Sequence, residues 1–171
     1  TAAKYARRAA NLAPKSGKAR TLAAMALREA GCGEEALFHG LAAMDLTPNE
    51  PGTQIAVVLA ALTVGRPLAG LNAAMSLIIG DSAAETLPLC TGLFDACCAG
   101  SPWGIAWTNS EGIAGCVRRL NPTSSEIMVR YNGVPLGRTT AETAYHNSAQ
   151  VNAFFLAFSP DLPAGSLVDV I

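Results

Sequence analysis

No excess of either charge marks this sequence: 12 Lys and Arg stand against 13 Asp and Glu, a net charge of -1 over 171 residues. Without a basic surplus there is no general attraction to phosphate backbones or anionic bilayers, so nucleic acid is not expected as a partner. Long hydrophobic runs are missing as well. The most apolar one, Ile55 to Val64, is about half the roughly 20 residues that a bilayer-crossing helix needs, and no signal-peptide pattern is visible. The chain therefore reads as soluble, with no membrane-spanning segment.

The signatures of catalysis are equally scarce. There is no Gly-x-Ser-x-Gly elbow and no Gly-x-x-x-x-Gly-Lys phosphate loop. Histidine occurs only as His39 and His146, far apart in the chain, and a lone histidine is more often structural than catalytic. Cys32, Cys90, Cys97, Cys98 and Cys116 are odd in number and lack the regular spacing of a disulfide framework. Reduced, buried thiols are expected. Neighbouring Cys97 and Cys98 are too close along the chain to bridge each other easily, which leaves a bridge from Cys90 to one of them open. The paired spacing of a zinc ribbon is absent too, so neither a metal nor another cofactor is expected. The chain is expected not to be an enzyme.

What is present is globular: half of the residues are apolar, enough for one ordinary domain or two small ones. Residues 1 to 80 carry eight Lys and Arg against five Asp and Glu, while residues 81 to 171 carry four against eight. That shift supports a boundary near Gly80. The chain starts on Thr1 rather than methionine and ends on Val-Asp-Val-Ile, from which a segment of a longer protein is expected.

An internal repeat organises the first half. Ala9-Ala10-Asn11-Leu12-Ala13-Pro14 aligns with Ala43-Met44-Asp45-Leu46-Thr47-Pro48 at an offset of 34, and the same register pairs Ala2 with Ala36, Leu27 with Ala61 and Gly31 with Gly65. Small residues let two helices approach closely, the glycines permit a turn, and the prolines cannot continue a helix. Helices are expected at about 2 to 12, 18 to 30, 34 to 46, 52 to 64 and 67 to 79, with Glu34-Glu35 at the positive end of the third.

This pattern of small residues before a Leu-x-Pro ending resembles the tetratricopeptide repeat family from Ala2 to about Gly80: the second helix of one repeat, one whole repeat and a degenerate third. Arg20 stands where the family usually has a bulky aromatic, and the third repeat ends in Gly80-Asp81 rather than proline. The resemblance implies a concave face that binds a protein or peptide partner. On the first helices of the hairpins, Lys18, Thr21, Met25 and Arg28, and then Gln54, Ile55, Val58 and Leu59, are the candidates for such a groove, because spacings of three to four residues share a helical face. Lys18 and Arg28 are suited to a carboxylate.

Residues 81 to 102 read as a linker with a closing helix whose Leu87, Leu89, Leu93, Phe94 and Cys97 cover the end of the helical stack. From residue 103 onward, short alternating runs bounded by Gly, Pro and Asn predict antiparallel strands at 104 to 108, 112 to 117, 127 to 131, 136 to 143, 151 to 158 and 167 to 171. Asn132-Gly133 is the strongest hairpin signal. The fold class expected is thus α+β: helical hairpins followed by a small antiparallel β-sandwich.

The runs Gly115-Cys116-Val117, Ile127 to Thr139, Phe154 to Phe158 and Leu162-Pro163-Ala164-Gly165 are similar to β-sandwich modules attached to bacterial glycosyltransferases and surface-polysaccharide proteins, with Cys116 where such modules usually carry an aromatic. Trp103 and Trp107, four residues apart on one strand face, together with Tyr131 and Tyr145, are the candidate carbohydrate contacts; the alternative for the tryptophans is the sandwich core. The leading expectation is a non-catalytic scaffold in a bacterial surface-polysaccharide or secretion machine. The alternatives are a carbohydrate-binding β-module and an accessory region flanking a glycosyltransferase. A bacterial cytoplasmic location is expected, with a membrane-associated or exported assembly left open.

Overall fold

The computed structural model describes residues 2–80, 83–99, 101–109, 111–118, 126–131, 134–148, 150–157 and 168–170. The chain divides into two compact units, Thr1–Ala99 and Gly100–Ile171, and is α+β: six helices, among the described residues, precede two antiparallel sheets.

The first unit contains α1 (Ala2–Leu12), α2 (Gly17–Glu29), α3 (Gly33–Met44), α4 (Pro51–Thr63), α5 (Leu71–Ile79) and α6 (Ala83–Cys97). Three of the starts have a local cause. Ser16 accepts a hydrogen bond from the Ala19 amide at the head of α2, Glu34 and Glu35 fill the first turn of α3, and Pro51 occupies the first turn of α4, where its missing N–H costs nothing. The turns after α2 and α4 are the same motif repeated. Gly31 and Gly65 take φ of 76° and 67°; the Cys32 and Arg66 amides bond back to the Leu27 and Ala61 carbonyls, and the glycine amides to Arg28 and Leu62. These are Schellman closures, in which a left-handed residue lets the final carbonyls be satisfied.

Small residues then set the helix spacing. Ala23, Ala24, Ala36, Ala43, Ala60, Ala61, Ala73 and Ala74 are buried with Leu27, Val57, Leu77, Ile78 and Leu93. A Cβ added to Gly40 would lie 3.2 Å from the Val57 side chain, and one added to Gly70 would lie 2.8 Å from Leu93. Gly70 also marks a departure from the continuous helix expected at 67 to 79. Pro67–Gly70 forms a 3-10 turn before α5 begins, and it is this close approach of Leu93 and Ala61 to Gly70 that leaves no room for a bulkier residue there. The closing helix α6 packs on α5 and α4, burying Leu87, Leu93 and Phe94.

The second unit contains β1 (Trp103–Asn109), β2 (Gly112–Arg118), β3 (Glu126–Tyr131), β4 (Val134–Thr140), β5 (Thr143–Ala144), β6 (Val151–Ala157) and β7 (Val168–Val170). One sheet has the order β1-β2-β6-β5 and the other β4-β3-β7, with every pairing antiparallel. Ile113 and Val117 of β2 and Phe154 of β6 meet Ile127 and Val129 of β3 in a shared core. The β3–β4 hairpin forms with Tyr131 opposite Val134; Asn132 and Gly133 lie outside the described residues, as do Phe158, Leu162–Gly165, Leu167 and Ile171. The single strand expected at 136 to 143 is instead two. The chain leaves one sheet after Thr140 and joins the other at Thr143, and the buried Ala141 between them gives its carbonyl to the Asn152 side chain at 3.0 Å. Alternation persists through such a crossover, so sequence pattern does not reveal it.

Candidate functional site

A cleft of about 390 Å³ opens where the first turns of α2 and α4 come together. Lys18, Thr21, Leu22 and Met25 of α2 form one wall; Thr47, Glu50, Gly52 and Thr53, from the α3–α4 turn and the start of α4, form the other. The repeat explains this meeting. Helices one repeat apart lie side by side, and the turn that follows α3 folds back against the start of α2: a Cβ on Gly17 would lie 2.6 Å from the Thr47 side chain.

Three threonine hydroxyls underlie the cleft. Thr21 donates to the Gly17 carbonyl and Thr47 to the Ala43 carbonyl, each at 3.0 Å. The Thr53 hydroxyl sits 2.8 Å from that of Thr21 and 3.2 Å from that of Thr47. With the two outer protons committed to carbonyls, the single Thr53 proton is left to serve the shorter contact, to Thr21, or to be shared with Thr47. Thr21 and Thr53 are buried and Thr47 half-buried, so the network fixes the floor, while the ligand-facing chemistry belongs to the Leu22 and Met25 side chains and to the opposite charges of Lys18 and Glu50.

The residues singled out from sequence separate here. Lys18, Thr21 and Met25 do come together. Arg28, Gln54, Ile55 and Leu59 do not line this cleft. Arg28 pairs with the adjacent Glu29. Buried Gln54 donates to the Pro48 carbonyl at 2.7 Å and so holds the turn; Val58 is fully buried in the core, so neither side chain is open to a partner. Ile55 and Leu59 are half-buried on α4. Thr47, Glu50 and Thr53 were not legible as site residues, because turn positions gain meaning only once the hairpin has folded against α2.

Elsewhere in the first unit, Arg7 of α1 forks onto Glu35 of α3 with contacts of 2.7 to 2.9 Å and reaches the Cys32 sulfur at 3.4 Å. The guanidinium holds the Glu35 carboxyl below its ordinary range. His39, on the same helix, is buried with Nδ1 lacking a hydrogen-bond partner, and burial, helped by Arg20, lowers its basicity. Burial pushes the Cys90 thiol up to about 11. No disulfide joins the cysteines, and among the described residues no group of three His, Cys, Asp or Glu side chains could hold a metal ion. Among them, too, no helix is long and apolar enough to cross a membrane.

In the second unit Trp103 and Trp107 share one face of β1, but Trp103 is buried and is closed to a stacked sugar. Trp107 remains half-buried and meets Tyr145 edge-on, with centroids 6.3 Å apart; Tyr145 in turn meets His146 at 4.4 Å. The Tyr131 side chain lies outside the described residues.

No family model, curated protein or solved structure matches the chain. The geometry of the cleft therefore carries the functional reading.

Proposed function

We propose that the chain is a non-catalytic scaffold that holds a short partner segment in the α2–α4 cleft. The observation that supports this is the composition of the cleft: an apolar wall of Leu22 and Met25, flanked by one cation and one anion, over a floor whose hydroxyl protons are already used internally. Such a site offers shape, an apolar anchor and charge registration, which are the elements of peptide recognition. It offers no nucleophile paired with a base. The likeness of the 34-residue repeat to tetratricopeptide hairpins favours the same reading.

Peptides selected on the immobilised full chain test the proposal. They are expected to bind Met25→Glu at least about tenfold more weakly than the parent and Arg28→Glu equally well. Undiminished binding to Met25→Glu would remove the cleft from the account.

A second reading rests on the Trp107–Tyr145 pair beside His146 and Asn147, which both hold left-handed φ, 48° and 61°. Strained polar residues next to aromatic rings are a pattern of ligand sites, and the ligand class they favour is carbohydrate. Quenching of tryptophan fluorescence by oligosaccharides, lost in Trp107→Leu, is the corresponding measurement; no quenching by any glycan would discard this reading.

A further inference from the structure

The first unit ends on two neighbouring thiols. Cys97 is the last residue of α6 and Cys98 follows it, its amide still bonded to the Phe94 carbonyl at 2.9 Å. Ala99 then takes φ of 49°, a left-handed conformation that is costly for a residue with a Cβ, and such outliers gather at functional sites. Both thiols are half-buried and free of disulfides. Cys90, in the same helix, is fully buried and lies about 10 Å back along the axis, out of reach of the pair. Beside Cys97 is a hollow of about 640 Å³, lined by residues 65–69 of the turn after α4 and by Ala96 and Cys97 of α6. Pro67, Leu68, Ala69 and Ala96 make its lining largely apolar.

The pair is suited to chelation rather than to redox chemistry. Burial raises the Cys97 thiol above its ordinary range and Cys98 adds to the rise, so Cys97 is a neutral SH at pH 7 and not a nucleophilic thiolate. A direct bridge is opposed because one peptide link holds the two Cα atoms about 3.8 Å apart, closer than a disulfide normally spans. An atom set between the sulfurs widens that ring and lifts the objection. We propose that Cys97 and Cys98 bind a trivalent organoarsenical, R–As(OH)2, whose organic group lies in the neighbouring hollow. Two As–O bonds break, two As–S bonds form, and each thiol proton leaves with a hydroxyl as water; arsenic stays trivalent. Two thiols suffice, since the organic group is the third substituent on arsenic, whereas a structural zinc needs the larger ligand set that the described residues lack. With both thiols on one chain the second As–S bond is intramolecular, so the adduct outlasts competition from monothiols. This site is independent of the α2–α4 cleft.

The probe is phenylarsine oxide, added to the reduced full chain in excess 2-mercaptoethanol and followed by intact mass spectrometry. One arsenical per chain is expected to be retained, and to be released by the dithiol dimercaptopropanol. Cys97→Ser and Cys98→Ser should each weaken retention at least about tenfold, while Cys32→Ser leaves it unchanged. In the parent chain, maleimide labelling and peptide mapping should show Cys97 and Cys98 protected together by the arsenical, a readout that needs no variant. The phenyl compound should be held several-fold more tightly than methylarsonous acid, and Leu68→Glu, at a position 73% exposed, should erase that preference without changing the circular dichroism. No retained adduct, full retention in either serine variant, or protection mapped to Cys32 or Cys90 instead overturns the proposal. An undiminished phenyl preference in Leu68→Glu overturns the placement of the organic group in the hollow.

Discussion

Thr21 Oγ1 and Thr53 Oγ1 lie 2.8 Å apart, a buried hydroxyl contact that ties α2 to α4 across one repeat. In Thr53→Val this link is lost while Thr21 and Thr47 keep their bonds to the Gly17 and Ala43 carbonyls. The expected cost is about 1 kcal/mol, the net worth of one neutral hydrogen bond. Urea denaturation gives the number, and the chain should stay helical throughout.

Gly31 and Gly65 have nothing within 4 Å of an added Cβ, so replacement by alanine costs only the left-handed backbone. Each substitution is expected to destabilise by about 1 kcal/mol. The glycines sit in separate turns that share no partner, so the double variant should lose the sum.

Two other glycines should respond in opposite directions. At Gly115 a Cβ would fall 2.3 Å from Phe154 Cζ and 2.5 Å from the Ile105 carbonyl, so Gly115→Ala is expected to cost roughly 3 kcal/mol or more. Gly92 is exposed within α6 and has open space around its Cβ position, and Gly92→Ala should stabilise by about 0.5 to 1 kcal/mol. Thermal melts of the two variants separate the effects of collision and helix propensity.

His39 makes stability depend on pH. Burial lowers its basicity below the ordinary value of 6.5, Arg20 and Arg7 push the same way, and Glu35 opposes them. Below about pH 6.5 the unfolded chain takes up a proton that the folded chain resists, so the stabilisation present at neutral pH is lost as pH falls. Unfolding measured at pH 7.5 and 5.5 should show this drop in the parent, and a flatter response in His39→Leu.

The helical half was legible because its repeat is written in residues with strong local meaning. Alanines, the Leu-x-Pro endings and the two turn glycines carry the period, and the helices fall within one or two residues of expectation apart from the break at Gly70. The β3–β4 hairpin was legible from alternation on either side of the Asn132-Gly133 pair in the sequence. The pairing of β2 with β6 was not, since β6 is remote in sequence and alternation does not say which strand lies beside which. The candidate site was half legible. Spacing found Lys18, Thr21 and Met25, but Thr21 serves mainly as an internal hydroxyl, and the opposite wall depends on how the α3–α4 turn lands on α2.

The register of β2 against β6, which sets Gly112 opposite Ala157 and Arg118 opposite Val151, has a kinetic consequence. During synthesis the helical hairpins can close as they emerge, since each helix meets its sequence neighbour and loop closure is short. Strand β2 must wait. Until residues 151–157 leave the ribosome, one edge of β2 is without its native partner, with Ile113 and Val117 deprived of the Phe154 side of their core. The second unit is thus expected to be the slower to fold and the part most in need of protection while it is being made.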